Sequence, residues 1–96
     1  MAEGLRNLVV TVLHQDRDGF LWVGTENGLY RYDGHRFLAF SVKEGLPGTD
    51  ITLLYETADG KLWVGTDHGL AWRSGTAFVA SRNEALRGLI YRQAFA

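Results

Sequence analysis

Two tryptophans and two glycine–threonine pairs are the first residues of this chain that could take part in chemistry. Trp22 and Trp63 each follow an Asp-Gly-x-Leu sequence, and a tryptophan ring can stack on a sugar. Each stands between leucine and valine, which favours a place in a core over contact with a ligand. The Gly-Thr pairs at 24–25 and 65–66 could approach a phosphate, but no glycine-rich loop precedes a Lys-Ser or Lys-Thr. We expect them to serve packing and turn geometry.

Metal ligation and catalysis have little support in the sequence. The Asp-Arg-Asp-Gly at 16–19 resembles the start of a calcium loop, but the later acidic ligands are missing and Thr57 replaces Asp16 in a second copy. Turn formation explains Asp18 and Asp59 without a metal. There is no cysteine, and the histidines show no metal-ligand spacing: His14, His35 and His68. We therefore predict no metal, no cofactor and no catalytic residue, hence no enzyme.

The elements that position these residues come from an internal repeat. DGFLWVGT at 18–25 returns as DGKLWVGT at 59–66, 41 residues later, and Gly-Leu at 28–29 returns at 69–70. A period near 41 occurs in propeller blades and in helical armadillo or HEAT repeats. Strand-forming runs such as Val-Val-Thr-Val-Leu at 9–13, together with frequent glycines, favour blades over helices.

Each repeat is predicted to contain four short strands. Asp-Gly, Asn-Gly and His-Gly pairs stand between the apolar runs, where a tight hairpin needs a positive φ. The predicted strands are 9–15, 20–25, 28–32, 36–41, 51–56, 61–66, 69–73 and 77–81.

The predicted fold class is all-β: two four-stranded antiparallel β-propeller blades, which make a partial propeller. Blade 1 is assigned to residues 3–43 and blade 2 to residues 44–83. Residues 84–96 begin a third repeat or form a C-terminal helix. Glu-Ala-Leu at 84–86 echoes Glu-Gly-Leu at 44–46, whereas Ser-Arg-Asn-Glu at 81–84 is also typical of a helix capping box.

Composition excludes several classes of partner. The 96 residues carry a formal net charge of -1, and 46% of them are hydrophobic, as in an ordinary globular protein. This balance gives no basic face for nucleic acid and no basic patch for a membrane surface. No apolar run approaches the roughly 18 residues that span a bilayer. We expect no nucleic-acid binding and no membrane contact by this chain.

The long motif carries a family resemblance. Residues 16–34, DRDGFLWVGTENGLYRYDG, and the linker EGLP at 44–47 resemble the two-component regulator propeller repeat, over nearly all of residues 3–83. The second copy departs from the pattern, with Ala-Trp-Arg-Ser at 71–74. The resemblance implies a seven-bladed sensor on the extracytoplasmic, or periplasmic, side of bacterial hybrid sensor kinases or of receptors with a diguanylate cyclase. It also implies that breakdown products of polysaccharides are ligands.

Topology predicts where a ligand would bind. Within a blade, the second strand returns to the end where the first began, so the interblade linker shares a face with the turn between strands two and three. Loops on a rigid scaffold commonly carry function, although polar turn residues are also ordinary. The candidate ligand-binding residues are Glu26, Asn27, Asp67 and His68, with Thr49 and Asp50 nearby. Differences between the copies, such as Tyr-Arg-Tyr at 30–32 against Ala-Trp-Arg at 71–73, are further candidates.

The expected function is non-catalytic ligand sensing in a bacterial signalling receptor. Because an isolated repeat cannot bury both its faces, we expect further blades of a longer chain, or copies of this chain, as partners. An oligosaccharide or another small molecule is the expected ligand. Two alternatives stay open: a self-assembling, lectin-like propeller, and an enzyme similar to streptogramin lyases, whose repeats share Asp-Gly-x-Leu-Trp but differ beyond the tryptophan.

Overall fold

Eight strands in two sheets make up the described part of the protein, residues 8–81 of a computed structural model. Each sheet has four antiparallel strands in sequential order. Blade 1 contains β1 (Val10–Gln15), β2 (Leu21–Thr25), β3 (Gly28–Tyr32) and β4 (Phe37–Phe40). Blade 2 contains β5 (Ile51–Glu56), β6 (Leu62–Thr66), β7 (Gly69–Ser74) and β8 (Ala77–Ser81).

The Asp-Gly pairs form the turns that start each hairpin. Gly19 has a φ of 91° and Gly60 a φ of 88°, values that other residues adopt only with strain. In both turns the glycine N–H donates to the carbonyl three residues earlier, at Asp16 and Thr57, with a distance of 2.9 Å. The two copies of the motif therefore fold alike because they carry the same turn chemistry.

Matching irregularities confirm that the two blades are structural repeats. The register of β1 against β2 shifts between Val10 and Val12, and that of β5 against β6 shifts between Ile51 and Leu53. A shift of this kind adds one residue to a strand and increases its local twist. Each blade carries the shift in its first strand.

The core lies between the two blades. Trp22 is fully buried there. The centre of its ring lies 5.5 Å from that of Phe40 in the same blade and 6.2 Å from that of Phe78 in blade 2. The absence of a side chain at Gly24 admits Ile51, since a Cβ there would come within 2.7 Å of the isoleucine Cγ2. The predicted core role of Trp22 is thus confirmed. Trp63 is 5% exposed and packs with a second cluster, on the other face of blade 2.

The linker between the blades begins with a short 3₁₀ helix, Val42–Glu44. The hydroxyl of Ser41 accepts from the Lys43 N–H, while the Glu44 carboxylate accepts from the Ser41 N–H at 2.6 Å. Gly45 closes the helix with a φ of 108°. The strand predicted for 36–41 is correspondingly shorter, because its last residue caps this helix. The blade boundary predicted at 43/44 falls inside it.

The all-β prediction is confirmed within residues 8–81, where no α-helix occurs and all eight predicted strands are present within two residues of their expected bounds. None of these residues belongs to a helix long and apolar enough to cross a membrane. The alternatives for residues 84–96, a third repeat or a C-terminal helix, lie outside the described residues.

Candidate functional site

The Gly-Thr pairs build the two turns that carry the candidate residues. The Thr25 hydroxyl donates to the Gly28 carbonyl at 2.8 Å and accepts from the Asn27 N–H at 2.9 Å. Thr66 repeats both bonds in blade 2, to the Gly69 carbonyl and from the His68 N–H. Both threonines are buried, so their hydroxyls fix the turns rather than approach a ligand.

One short stretch of the linker, residues 48–50, joins both turns. The Gly28 N–H donates to the Thr49 carbonyl at 2.7 Å, and the Asp67 N–H donates to the Asp50 carbonyl at 3.0 Å. At Gly48 the linker backbone passes so close to the Asp67 carboxylate that a Cβ there would collide with it. We call this group the linker end: the two turns, 25–28 and 66–69, with linker residues 48–50.

The linker end brings together the four candidate residues, as the blade topology requires. Glu26 and Asn27 are exposed on the blade 1 side of the linker, and Asp67 and His68 are exposed on the blade 2 side. The two turns are bonded to the linker through the N–H groups of Gly28 and Asp67, and the Glu26 and Asn27 side chains are exposed. The expected co-location is therefore observed.

Asp67 and His68 form a polar pair at the linker end. The His68 Nδ1 lies 3.1 Å from the Asp67 Oδ2, and the Asp50 N–H donates to the Asp67 Oδ1 at 3.4 Å. The hydrogen bond from His68, followed by the one from Asp50, lowers the pKa of Asp67 below its ordinary value of 3.8. A charged carboxylate beside an imidazole can accept and donate hydrogen bonds, which suits hydroxyl-bearing ligands.

A buried carboxylate at the opposite end of blade 1 escaped the sequence analysis. The Asp16 Oδ2 accepts from the indole Nε1–H of Trp22 at 2.7 Å, and its Oδ1 accepts from the N–H groups of Asp18 and Phe20. Asp16 is 7% exposed. These bonds occupy the residue that gave the 16–19 turn its likeness to a calcium loop. The signal for its role was the six-residue spacing to a buried tryptophan.

A polar contact across the blade interface was also missed. The Glu56 carboxylate lies 3.2 Å from the His14 Nε2 and 3.5 Å from the Arg17 Nε. Arg17 further donates to the Ala58 carbonyl at 2.9 Å. Blade 1 thus holds blade 2 by charged groups at the rim as well as by the apolar core. Because these residues satisfy one another, we assign them a structural role.

The described residues hold no group of three His, Asp or Glu side chains that could bind a metal ion. His35, the remaining histidine, is exposed in the turn between β3 and β4, at least 21 residues along the chain from His14 and His68. Within residues 8–81 the site is therefore one of exposed hydrogen-bonding groups on fixed turns.

The protein has two successive four-stranded antiparallel blades that pack face to face and are joined by a short linker. This arrangement is that of repeats of the β-propeller class. The family model for the two component regulator propeller matches residues 4–27 and 45–68, once in each blade and together half of the chain. The chain belongs to this family.

Part of the chain is similar to a curated protein. The chain is 45% identical over 38 residues to "Histidine kinase P4" of Formosa agariphila. The match covers 40% of this chain and 3% of that kinase. The chain thus spans a small part of the length of the relative it matches.

Proposed function

We propose that this chain is a ligand-sensing, non-catalytic part of a bacterial two-component receptor, on the extracytoplasmic side of the membrane. The observation that carries the proposal is the linker end, where residues that differ between the repeats stand on turns fixed by identical residues. Glu26 and Asn27 face one side of the linker, Asp67 and His68 the other. Membership of the regulator propeller family and the similarity to a histidine kinase support a signalling role.

An oligosaccharide is the ligand class we propose for the linker end. Its hydroxyl groups would donate to the carboxylates of Glu26 and Asp67 and accept from the Asn27 amide and the His68 ring. Because the linker backbone is bonded to both turns, a ligand that bridges the turns would also change the angle between the blades. Such a displacement is a physical route from binding to an output domain.

Titration of the whole chain with xylo- and cello-oligosaccharides, followed by NMR, tests the proposal. We expect saturable shifts of the Asn27 side-chain amide and of the Asp67 and His68 backbone amides. Asn27→Ala should weaken binding about tenfold, because two or more hydrogen bonds to a sugar are lost. Asp18→Asn, at the opposite end of blade 1, is the matched control and should bind like wild type. Shifts confined to other surfaces would refute the proposed site.

We also propose that further blades, in a longer chain or in other copies, complete the propeller. The supporting observation is the repeat register. Val12, Trp22 and Leu29 of blade 1 contact blade 2, and their equivalents Leu53, Trp63 and Leu70 share the opposite face of blade 2. The face of blade 2 that points away from blade 1 therefore repeats the apolar residues with which blade 1 packs against blade 2. Light scattering after size-exclusion chromatography should detect oligomers of the 96-residue chain. A stable monomer that binds no hydrophobic dye would contradict this expectation.

A further inference from the structure

A surface cavity of about 250 Å³ lies in blade 1 where β3 turns into β4. Arg31, Asp33, Arg36 and Leu38 line it. β3 begins at the linker end with Gly28 and runs away from it, so the cavity lies at the opposite end of the blade. It is a separate site from the ligand-binding turns proposed above.

Aromatic rings, not a carboxylate, hold the Arg31 guanidinium in place. Its Cζ lies 4.5 Å from the centre of the Phe20 ring, 5.6 Å from that of Trp22 and 5.9 Å from that of Phe40. A guanidinium stacked on rings keeps its N–H donors free at the edge of its plane. Arg31 is therefore ordered before any ligand arrives, and its hydrogen-bonding edge is unused by these contacts.

The cavity has an excess of positive charge. The ion pairs of residues 8–81 are His14–Glu56, Arg17–Glu56 and His68–Asp67, so none involves Arg31 or Arg36. The Asp33 carboxylate instead accepts from the N–H groups of His35 and Arg36, at 2.8 and 3.0 Å, within its own turn. Two guanidinium groups thus face one carboxylate that is already hydrogen-bonded.

Blade 2 shows that this lining is not needed to form a blade. The positions equivalent to the four lining residues hold uncharged side chains: Trp72, Ser74, Ala77 and Val79. There the charge and the ring have exchanged places, since Lys61 replaces Phe20 and its Nζ lies 4.4 Å from the centre of the Trp72 ring. The blade keeps its cation–aromatic contact in both copies, but the guanidinium groups that line this cavity both belong to blade 1.

We propose that this cavity binds the carboxylate group of a small organic acid. Arg31 supplies the ordered donor pair, because the planar guanidinium edge matches the two oxygens of a carboxylate. Arg36, which is exposed, provides a second cation, and Leu38, 42% exposed, contacts the apolar body of the acid. Neutral sugars lack the charge that this site would recognise, so its ligand differs in class from that of the linker end.

Benzoate is the probe, with benzyl alcohol as its uncharged counterpart and sulfate as a non-planar anion. The whole chain is titrated, and the Trp22 indole N–H and the Arg31 Nε–H are followed by NMR. We expect saturable shifts with benzoate, with a dissociation constant on the order of 1 mM for so small a ligand. Benzyl alcohol should produce no saturable shift, and sulfate should bind more weakly than benzoate.

Variants connect the binding to the cavity. Arg31→Gln should weaken benzoate binding about tenfold or more, since a charge-assisted pair is lost. Arg36→Gln, at an exposed residue outside the core, should weaken it several-fold without affecting folding. Lys43→Gln removes the same charge outside the cavity and should bind like wild type. Asp33→Asn keeps a side-chain oxygen that can accept from the His35 and Arg36 N–H groups but removes the negative charge that would repel benzoate. This variant should therefore bind benzoate more tightly.

Four results would overturn the proposal. They are an absence of saturable benzoate shifts, equal binding of benzyl alcohol, sulfate binding as tight as that of benzoate, and equal weakening by Lys43→Gln and Arg36→Gln. None of these results bears on the linker end, because neither the probe nor the variants involve its residues.

Discussion

Replacement of Asp16 by alanine should destabilise the protein strongly, although the residue lies in a surface turn. Its carboxylate is the hydrogen-bond acceptor for the indole N–H of Trp22, whose side chain is fully buried between the blades. It also accepts from the N–H groups of Asp18 and Phe20, which shape the turn. Asp16→Ala removes all three bonds and leaves a buried donor without its partner.

The size of the effect follows from the burial of that donor. A buried N–H left unsatisfied costs about 1–3 kcal/mol, and the loss of the two partly hydrated turn bonds together adds about 0.5–1 kcal/mol. We expect a total of about 2–4 kcal/mol, against about 5–15 kcal/mol for a domain of this size. At about 4–8 °C per kcal/mol, the midpoint of thermal unfolding should fall by roughly 8–32 °C.

Thermal and urea unfolding, followed by circular dichroism, measure this loss. Asp18→Ala is the matched control, because it removes the same charge from the same turn at an exposed position. A double-mutant cycle with Trp22→Phe, which lacks the donor, should return a coupling of about 1–2 kcal/mol between Asp16 and the indole. If Asp16→Ala were no more destabilising than Asp18→Ala, the assigned role of Asp16 would be wrong.

Three further predictions concern the linker and the rim. Gly45→Ala should cost about 2 kcal/mol or more in urea unfolding, because φ is 108° and the added Cβ would strike the Phe78 carbonyl. Gly34→Ala, with a φ of 103° and open space around it, should cost only about 1 kcal/mol. Glu56→Gln should cost about 1 kcal/mol by the same assay, because Arg17 loses its charged partner and His14 loses a carboxylate contact, whereas Glu26→Gln should be neutral. NMR titration should give Asp67 a pKa below 3.8 that rises in His68→Gln. Because this pKa is lower in the folded than in the unfolded state, the charged carboxylate stabilises the fold at pH values above the unfolded-state pKa. That stabilisation is lost as the pH falls through the folded-state pKa.

Local patterns in the sequence were sufficient to predict the strands and the linker end. Asp-Gly and Asn-Gly pairs give turns by backbone preference alone, and the alternation between them determines which segments are extended. The repeat then fixes the topology, because two copies with the same turns fold in the same way. The convergence of Glu26 and Asp67 on one linker followed from that topology without any knowledge of side-chain contacts.

Contacts between segments distant in sequence could not be predicted in this way. The pairing of His14 with Glu56 depends on the offset between two packed blades, which no local pattern records. The 3₁₀ helix is a different case, since Ser41 and Glu44 already form the Ser-x-x-Glu signature of a capping box. At 41–44 this signature competes with the strand predicted for residues 36–41. The proximity of Arg31 to three aromatic rings is another such case, because the rings come from three different strands or turns and meet only on folding.

The exchange of Phe20 and Arg31 for Lys61 and Trp72 has a consequence for how the two repeats are compared. When the repeats are aligned residue by residue, Phe20 stands opposite Lys61 and Arg31 opposite Trp72. Each pair differs in size and charge and would be scored as unrelated. Taken as a pair, they preserve one interaction with its partners transposed. Either single substitution toward the other repeat, such as Phe20→Lys, would bring two cations or two rings together, so the two sites should covary. Comparisons of such repeats by coupled pairs of positions will therefore detect kinship that comparisons of single columns overlook.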